Sequence, residues 1–400
     1  MRAPAALKGC ATQTARAALK GCTSGIARPA LKDASGTWPA LKRTAISAVI
    51  LMSIAQTFRP AVHAQESRPS FSEWLDGVRT EAIARGVKTE IVDEALAGVE
   101  EPLPVILERD RAQAETVLSL EYYIARRLTP KLIESGRDAF ARNRDLLAEI
   151  SDAYAVPSRI IAAIWGIESN YGRFSGVRPT VPALATLAWD PRRSAFFRGE
   201  LFNALEILNR GDIDLPHLKG SWAGAMGQVQ FMPSSYLQYA EDYDGDGRRD
   251  IWSTPADIFA SIANYLSGRG WTLDAPWGRE VKVTPAIAQH IRSDVAPRGG
   301  SCQAIRNMTV ALPLAKWQEL GVRLPGGKAL PKSDVPASLV SGSTRHFLVT
   351  PNYDAILEYN CSHSYAITVA LLGDAIASTG KITVTPAPKS KSKASHKKRG

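Results

Sequence analysis

The sequence has few of the residues on which redox enzymes, metal hydrolases and membrane-spanning proteins depend. Its 400 residues include only four cysteines and six scattered histidines, and they form no metal-hydrolase pattern. There is no G-x-S-x-G elbow, Walker loop or dinucleotide fingerprint, which argues against the enzyme classes that need them. The apolar run 45–55 is too short to cross a bilayer as a permanent anchor.

Acidic residues are almost absent from both ends of the chain. The first 64 residues carry nine Lys or Arg against one Asp, and residues 381–400 carry seven Lys or Arg and no acid. The formal charge of +10 therefore comes from the ends, and a mildly acidic middle does not indicate nucleic-acid binding. The basic tail 381–400 predicts disorder, either with weak electrostatic contact to an anionic polymer or with no partner.

The basic pair Lys42 and Arg43, the apolar run 45–55 and the small-x-small site ending at Ala64 have the layout of a secretory signal peptide. We expect cleavage after Ala64 and export to the periplasm.

The cysteines divide into two pairs. Cys10 and Cys22 lack a preceding apolar segment, so neither resembles a lipid-attachment cysteine, which favours a soluble periplasmic form. Cys302 and Cys361 are a disulfide candidate in an oxidising compartment, and two free thiols are an equal alternative.

A nearly continuous apolar helix is predicted over 157–172, and it presents one carboxylate. Ile161, Ile164 and Glu168 fall at helical spacing, so the acid shares the buried stripe and lies in the last turn. Burial and the negative end of the helix dipole should raise the pKa of Glu168, which suits a proton donor. The alternative is an ion pair with Arg173 or Arg178.

A ribbon of small residues at 220–236 interrupts the helical pattern. Polar and apolar residues alternate from Gln228 to Phe231 as in a short strand. Ser221 and Gln230 could place neutral donors beside a ligand, and the ribbon is equally compatible with a tight hairpin in a core.

The segment 242–252 matches part of a calcium-binding loop. Asp242, Asp244 and Asp246 occupy positions 1, 3 and 5 of that motif, with Gly at position 6. Position 12 is Ser253 instead of the expected Glu, and Asp257 is a substitute if the loop is one turn longer. An acidic turn without metal is the alternative.

The order of the patterns predicts an α+β fold that is mainly α. It comprises a helical core, an N-terminal helical region and a small C-terminal β-containing insertion. The predicted divisions are a leader and signal peptide at 1–64, a helical region at 65–150, the core with the calcium-type loop at 151–270, an α+β insertion at 271–355, a helix returning to the core at 356–380, and the disordered basic tail at 381–400.

Five motifs occurring in order carry a family resemblance: IWGIESNYG, LKGSWAGAMGQVQFMPSSY, DGDGRRDIW, SIANYL and YNCSHSYA. Together they resemble the membrane-bound lytic murein transglycosylase B family, glycoside hydrolase family 103, over approximately 70–377. The resemblance implies a lysozyme-like core that cleaves the bond between N-acetylmuramic acid and N-acetylglucosamine in peptidoglycan without water.

The resemblance also implies the roles of particular residues. Glu168 matches the catalytic glutamate, which protonates the leaving oxygen and then accepts the proton of the 6-hydroxyl as a 1,6-anhydro ring closes. The residues implied to line the glycan groove are Ser221, Gln230, Tyr123, Tyr265, Tyr359, Asn360 and Tyr365. Those implied to hold a structural calcium or sodium are Asp242, Asp244, Asp246, Arg248 through its carbonyl, and Asp257. No cofactor for the chemistry and a monomer are expected.

Two other hypotheses remain at this stage. A hydrolase of the same fold would need a second carboxylate or an ordered water opposite Glu168. A calcium-dependent wall-binding protein without catalysis would need neither.

Overall fold

The structure, a computed structural model, describes residues 69–115, 118–273, 275–300 and 302–378. The predicted signal peptide, its cleavage site after Ala64 and the basic tail 381–400 lie outside the described residues. Within those described ranges, no helix is both long enough and apolar enough to span a membrane.

The N-terminal part consists of six helices, three of which begin at a side chain that caps the first turn. Ser70 and Glu73 form a reciprocal capping box at the first helix, and the Thr129 side chain accepts from the Leu132 amide at the fifth helix, where Pro130 fits the first turn. The helices are α1 Phe71–Ala84, α2 Thr89–Leu96, α3 Pro104–Glu115, α4 Leu120–Arg127, α5 Pro130–Arg142 and α6 Arg144–Tyr154.

The central part packs around one fully buried helix, α7. Its residues from Ile160 to Ile167 are all buried, so it is apolar on every side. A short pair of strands closes the loops on this part. The elements are α7 Ser158–Ser169, β1 Arg178–Pro179, α8 Thr180–Trp189, α9 Ser194–Arg210, β2 Lys219–Gly220, α10 Pro233–Tyr239 and α11 Pro255–Gly268.

A small α+β part follows, built around an antiparallel sheet with the strand order β3-β5-β4. Phe347 and Val349 face the large core, whereas Leu348 between them packs into a second, smaller core around Trp317. Because neighbouring side chains point to opposite faces, the sheet separates two cores. The elements are β3 Gly278–Val281, α12 Pro285–Asp294, α13 Gln303–Arg306, α14 Leu314–Glu319, β4 Ser338–Ser341 and β5 His346–Val349.

Two last helices return the chain to the large core: α15 Pro351–Tyr359 and α16 His363–Ala377. Helix α16 packs against α7, α4 and α5. The predicted fold class, mainly α with small antiparallel sheets, is confirmed. The division at 150, 270 and 355 stays a prediction.

Candidate active site and cation loop

Glu168 lies in the last turn of α7, and its side chain is half-buried at a groove of about 410 Å³. Burial raises the pKa of the Glu168 carboxyl to about 7, while the neighbouring Tyr365 hydroxyl and the Arg127 charge limit the rise. Among the described residues, no cation forms an ion pair with Glu168, so neither Arg173 nor Arg178 neutralises it. The groove therefore holds a carboxyl that is half protonated near pH 7.

The turn after α7 has a conformation that the sequence motif makes possible. Asn170 and Tyr171 both adopt left-handed backbone angles, with φ of 51° and 59°. The Tyr171 ring folds back over α7, where a Cβ on Gly166 would lie 2.5 Å from the ring. Its hydroxyl donates to the Leu132 carbonyl at 3.2 Å. Glycine at 166 thus allows the ring to close the end of the helix beside Glu168.

Three of the four predicted tyrosines are close enough to Glu168 to respond to its charge. Burial raises the pKa values of Tyr123, Tyr359 and Tyr365, and the Glu168 carboxylate raises each of them further. Tyr359 and Tyr365 lie face to face, with ring centroids 6.4 Å apart and an interplanar angle of 17°. The Tyr365 hydroxyl is buried, and no described residue completes a hydrogen bond with it at 3.5 Å or less.

Tyr265 lies one layer behind this wall. Its ring is 4.7 Å from that of Tyr359, and its hydroxyl donates to the Glu358 carbonyl at 2.6 Å. The Tyr359 hydroxyl likewise donates to the Val229 carbonyl at 2.7 Å. Both hydroxyls hold the backbone of the groove wall in place.

Of three other predicted residues, two make side-chain hydrogen bonds within their own segments and one is exposed. The Ser221 hydroxyl accepts from the Ala225 amide at 3.1 Å, and the Gln230 side-chain amide donates to the Gly227 carbonyl at 2.9 Å. Asn360 is exposed at the end of α15. In the described part of the chain, none of the three hydrogen-bonds Glu168.

The short strand predicted at 228–231 is wrong. Single bridges join Gly220 to Met226 and Met226 to Phe231, and tight turns connect them. The reason is backbone conformation: Gly224, Gly227 and Gln230 all have positive φ, which curls the segment and prevents extended pairing.

Arg127 and Gln228 are functional candidates that sequence reasoning missed. Arg127 Nη2 donates to the Ile167 carbonyl at 2.8 Å, next to Glu168. Gln228 Oε1 accepts from Trp165 Nε1 at 2.7 Å, and its amide donates to the Trp252 carbonyl at 2.7 Å. The available indication for Arg127 was its spacing of four residues from Tyr123, which puts both on one helix face.

The acidic loop brings together three of its predicted ligands. One carboxylate oxygen each of Asp242, Asp244 and Asp257 lies within 4.8 Å of the others. Asp257 is buried on α11, where its two oxygens accept from the Tyr243 and Asp250 amides at 2.8 and 2.7 Å. Burial raises the pKa of Asp257 to about 6 despite these bonds, and the Asp244 charge adds to the rise.

Asp246 and Arg248 lie outside this group of three. The exposed Asp246 accepts from the Arg248 amide at 2.8 Å, which shapes the turn. A cation fits the group itself, because Asp242 Oδ1 is buried and has no hydrogen-bond partner among the described residues. Three mutually repelling carboxylates and an unpaired buried oxygen are the donors that a hard divalent cation prefers.

Cys302 and Cys361 form a disulfide, with Cα atoms 5.9 Å apart. The bond ties the residue before α13 to the turn between Tyr359 and Tyr365. It therefore braces the tyrosine wall of the groove from the small α+β part.

A helical core in which a buried helix ends at one partly protonated carboxyl that lines a groove, with buried tyrosines beside that carboxyl, defines a protein of the lysozyme-like class. A family comparison agrees over residues 70–374, and the chain belongs to the Transglycosylase SLT domain family. The resemblance found in the motifs is thereby confirmed.

Known relatives fall in the same group. The chain is 36% identical over 252 residues to membrane-bound lytic murein transglycosylase B of Escherichia coli, a match that covers 62% of this chain and 65% of that protein's length. Among solved structures it is similar to SltB3 of Pseudomonas aeruginosa in complex with NAG-anhNAM-pentapeptide, at 39% identity and a TM-score of 0.71, covering 80% of this chain and 82% of that one. It is also similar to the Escherichia coli lytic transglycosylase SLT35 in complex with calcium, at 30% identity and a TM-score of 0.62, covering 78% and 93%.

Proposed function

We propose that this protein is a lytic transglycosylase that cleaves the MurNAc-GlcNAc bond of peptidoglycan and leaves 1,6-anhydromuramoyl ends. The observation that carries the proposal is the carboxyl of Glu168, which has a pKa of about 7 and is the only acid among the described residues lining its groove. One group that is present in both protonation states near neutral pH can serve as acid and then as base.

In the proposed reaction, the protonated Glu168 gives its proton to the glycosidic oxygen as the bond to C1 of the muramoyl residue breaks. The carboxylate so formed then takes the proton of the C6 hydroxyl while that oxygen attacks C1. Glu168 ends protonated as it began, and no water is consumed. Arg127 favours the carboxylate midway, because its charge lowers the pKa of Glu168.

The groove residues have supporting roles in this proposal. Tyr123, Tyr359 and Tyr365 lie beside Glu168 and are proposed to form a wall of the glycan groove, because aromatic rings suit uncharged N-acetyl sugars. Tyr265 supports Tyr359 from behind. Ser221, Gln230 and Asn360 are proposed as polar contacts farther along the strand.

Mass spectrometry of digested peptidoglycan tests the reaction. Anhydro ends are expected from the wild type, and Glu168→Gln should release no product. Reducing ends would overturn the proposal in favour of a muramidase, for which a second carboxylate or an ordered water must oppose Glu168. Wild-type protein that binds sacculi without releasing any product would instead support a non-catalytic wall-binding protein.

We also propose that Asp242, Asp244 and Asp257 hold a structural calcium, with Asp246 and the Arg248 carbonyl completing the loop. The ion would offset the burial of the Asp257 carboxyl and its repulsion by Asp244, which together raise the pKa of Asp257. Calorimetric titration with calcium should give saturable heat and a higher melting temperature in the wild type, and neither in Asp257→Asn. A wild-type melting temperature that does not change with calcium would refute the site. The matched control is Asp250→Asn, because Asp250 shapes the turn by accepting from the Trp252 and Ser253 amides. It separates loss of the turn from loss of a ligand.

The proposed setting is the periplasm, where the protein arrives through a signal peptide cleaved after Ala64 and acts as a monomer on glycan strands. The predicted division into a helical region, catalytic core, α+β insertion and returning helix is part of the same proposal. N-terminal sequencing of the exported protein tests the cleavage site.

A further inference from the structure

The tip of the β4–β5 hairpin is held by one carboxylate of the N-terminal helical part. Glu121, in the first turn of α4, accepts from the Thr344 amide at 2.7 Å and the Arg345 amide at 3.0 Å through Oε1. Its Oε2 accepts from the Ser343 hydroxyl at 2.9 Å. We call this set of bonds the Glu121 clasp.

In the clasp, the Glu121 carboxylate stays ionised and the backbone of Gly342 lies directly against it. Burial opposes ionisation of Glu121, but the hydrogen bonds from Thr344, Arg345 and Ser343 outweigh it and lower the pKa to about 2. Gly342 abuts the carboxylate so closely that a Cβ there would overlap Oε1 of Glu121. The nearby His346 has a pKa lowered by burial, although the charges of Glu121 and Glu280 limit the fall, so it is neutral at neutral pH.

The hairpin that holds Glu121 is itself rigid. Arg345 makes two parallel bonds to Glu280 on β3, at 2.8 and 2.6 Å, and β5 pairs with strands on both sides. Because the sheet is packed between two cores, we expect the tip of the β4–β5 hairpin to stay in place and to hold α4 through Glu121.

Helix α4 also carries groove residues, with Tyr123 in its first turn and Arg127 as its last residue. Arg127 contacts the Ile167 carbonyl and lowers the pKa of Glu168, and Tyr123 lies one turn before it. The titratable groups that act on Glu168 are Tyr123 and Arg127 from α4, Tyr359 from α15 and Tyr365 from α16, and the other cations around the groove are Arg126, Lys131 and Arg173.

We propose that Glu121 is a positioning residue: by clasping the hairpin tip, it fixes α4 so that Arg127 and Tyr123 stay beside Glu168. The expected change in the pH–activity profile rests on the proposed function. The expected change in the pKa of Glu168 rests on the structure alone. When the clasp is broken, Arg127 moves away from Glu168, the pKa of Glu168 rises, and the alkaline limb of the pH–activity profile moves to higher pH.

Two variants break the clasp from opposite sides. Glu121→Gln keeps the side-chain size but turns amide hydrogens toward the hairpin donors. Gly342→Ala leaves the sequence of α4 unchanged and adds a Cβ that overlaps the Glu121 carboxylate and lies 3.1 Å from Leu120 Cδ2. The matched control is Gly299→Ala in the same α+β part, because a Cβ there meets no atom within 4 Å. Circular dichroism at the assay temperature establishes that each variant is folded.

The expected result is an upward shift of the alkaline midpoint in both clasp variants, in the direction produced by Arg127→Gln, with no shift in the control. Adding Glu121→Gln to Arg127→Gln should produce little further shift, because the clasp acts on Glu168 mainly through the Arg127 guanidinium. Folded clasp variants with an unchanged midpoint, or fully additive shifts in the double variant, would overturn the inference.

A carbon-13 NMR titration separates this inference from the proposed function. With labelled glutamate, the Glu168 side-chain resonance is identified by its loss in Glu168→Gln, and its midpoint is followed in the wild type and in Glu121→Gln. A raised midpoint supports the clasp even if the wild type yields no anhydro products, and equal midpoints refute it even if the enzyme is active.

Discussion

The raised pKa of Glu168 means that the native fold resists ionisation of this carboxyl, and the resistance is measurable as stability. Burial moves the pKa from an ordinary 4.5 to about 7. One pKa unit corresponds to about 1.4 kcal/mol, so the ionised side chain disfavours the native state by about 3 kcal/mol relative to the protonated one.

The sign follows from proton linkage. Between pH 4.5 and 7 the native state keeps a proton on Glu168 that the unfolded chain releases, so the free energy of unfolding falls as the pH rises through this window. The contribution is complete below the lower value and lost above the higher one.

Glu168→Gln removes the titrating group at nearly constant size. We expect the free energy of unfolding of the variant, relative to wild type, to increase by about 3 kcal/mol from pH 4.5 to pH 8, as measured by urea unfolding at constant salt. The exposed Glu100→Gln variant provides the reference for a surface carboxyl. A constant difference between Glu168→Gln and wild type across this range would show that Glu168 is not perturbed, and the acid role would lose its physical basis.

Two further predictions concern the architecture of the groove. Gly166→Ala places a Cβ 2.5 Å from the Tyr171 ring and should lower the free energy of unfolding by about 1–3 kcal/mol. Gly199→Ala, with open space around it, should not, and equal effects in denaturant unfolding would contradict the packing argument. Cys302→Ser removes a bond across 59 residues and should lower the same quantity by about 4 kcal/mol. The free energy of unfolding of the wild type should fall by a similar amount in the presence of a reductant. A fall in the variant alone would show that the serine, and not the lost disulfide, destabilises the protein.

Local pattern predicted the helix that carries Glu168 but not its surroundings. The spacing of Ile161, Ile164 and Glu168 is a property of one helix, and α7 follows it. Arg127 acts on Glu168 only because α4 and α7 both pack against α16, which brings the Arg127 side chain to the end of α7, and no spacing within one segment encodes this. Asp257 could be proposed as a ligand because it follows the loop closely, whereas Asp246 fits the motif yet turns outward.

The predicted strand at 228–231 is absent, and the strand β5 shows no alternating pattern in the sequence, for different reasons. An alternation of polar and apolar residues depends on side-chain type alone. It does not predict that the backbone of Gln230 is left-handed. In β5 the opposite holds: both faces are buried, so Phe347, Leu348 and Val349 form a continuous apolar run without period-two contrast.

The disulfide between Cys302 and Cys361 closes a covalent ring that encloses the β4–β5 hairpin and α15. Segments of a protein open separately when few links join them, and each then melts at its own stability. Here the ring is anchored beside Tyr359 and the hairpin within it holds Glu121, so both links oppose separation of the small core from the large one. We therefore expect the two cores to unfold in a single transition in the oxidised protein and a second transition to become visible after reduction.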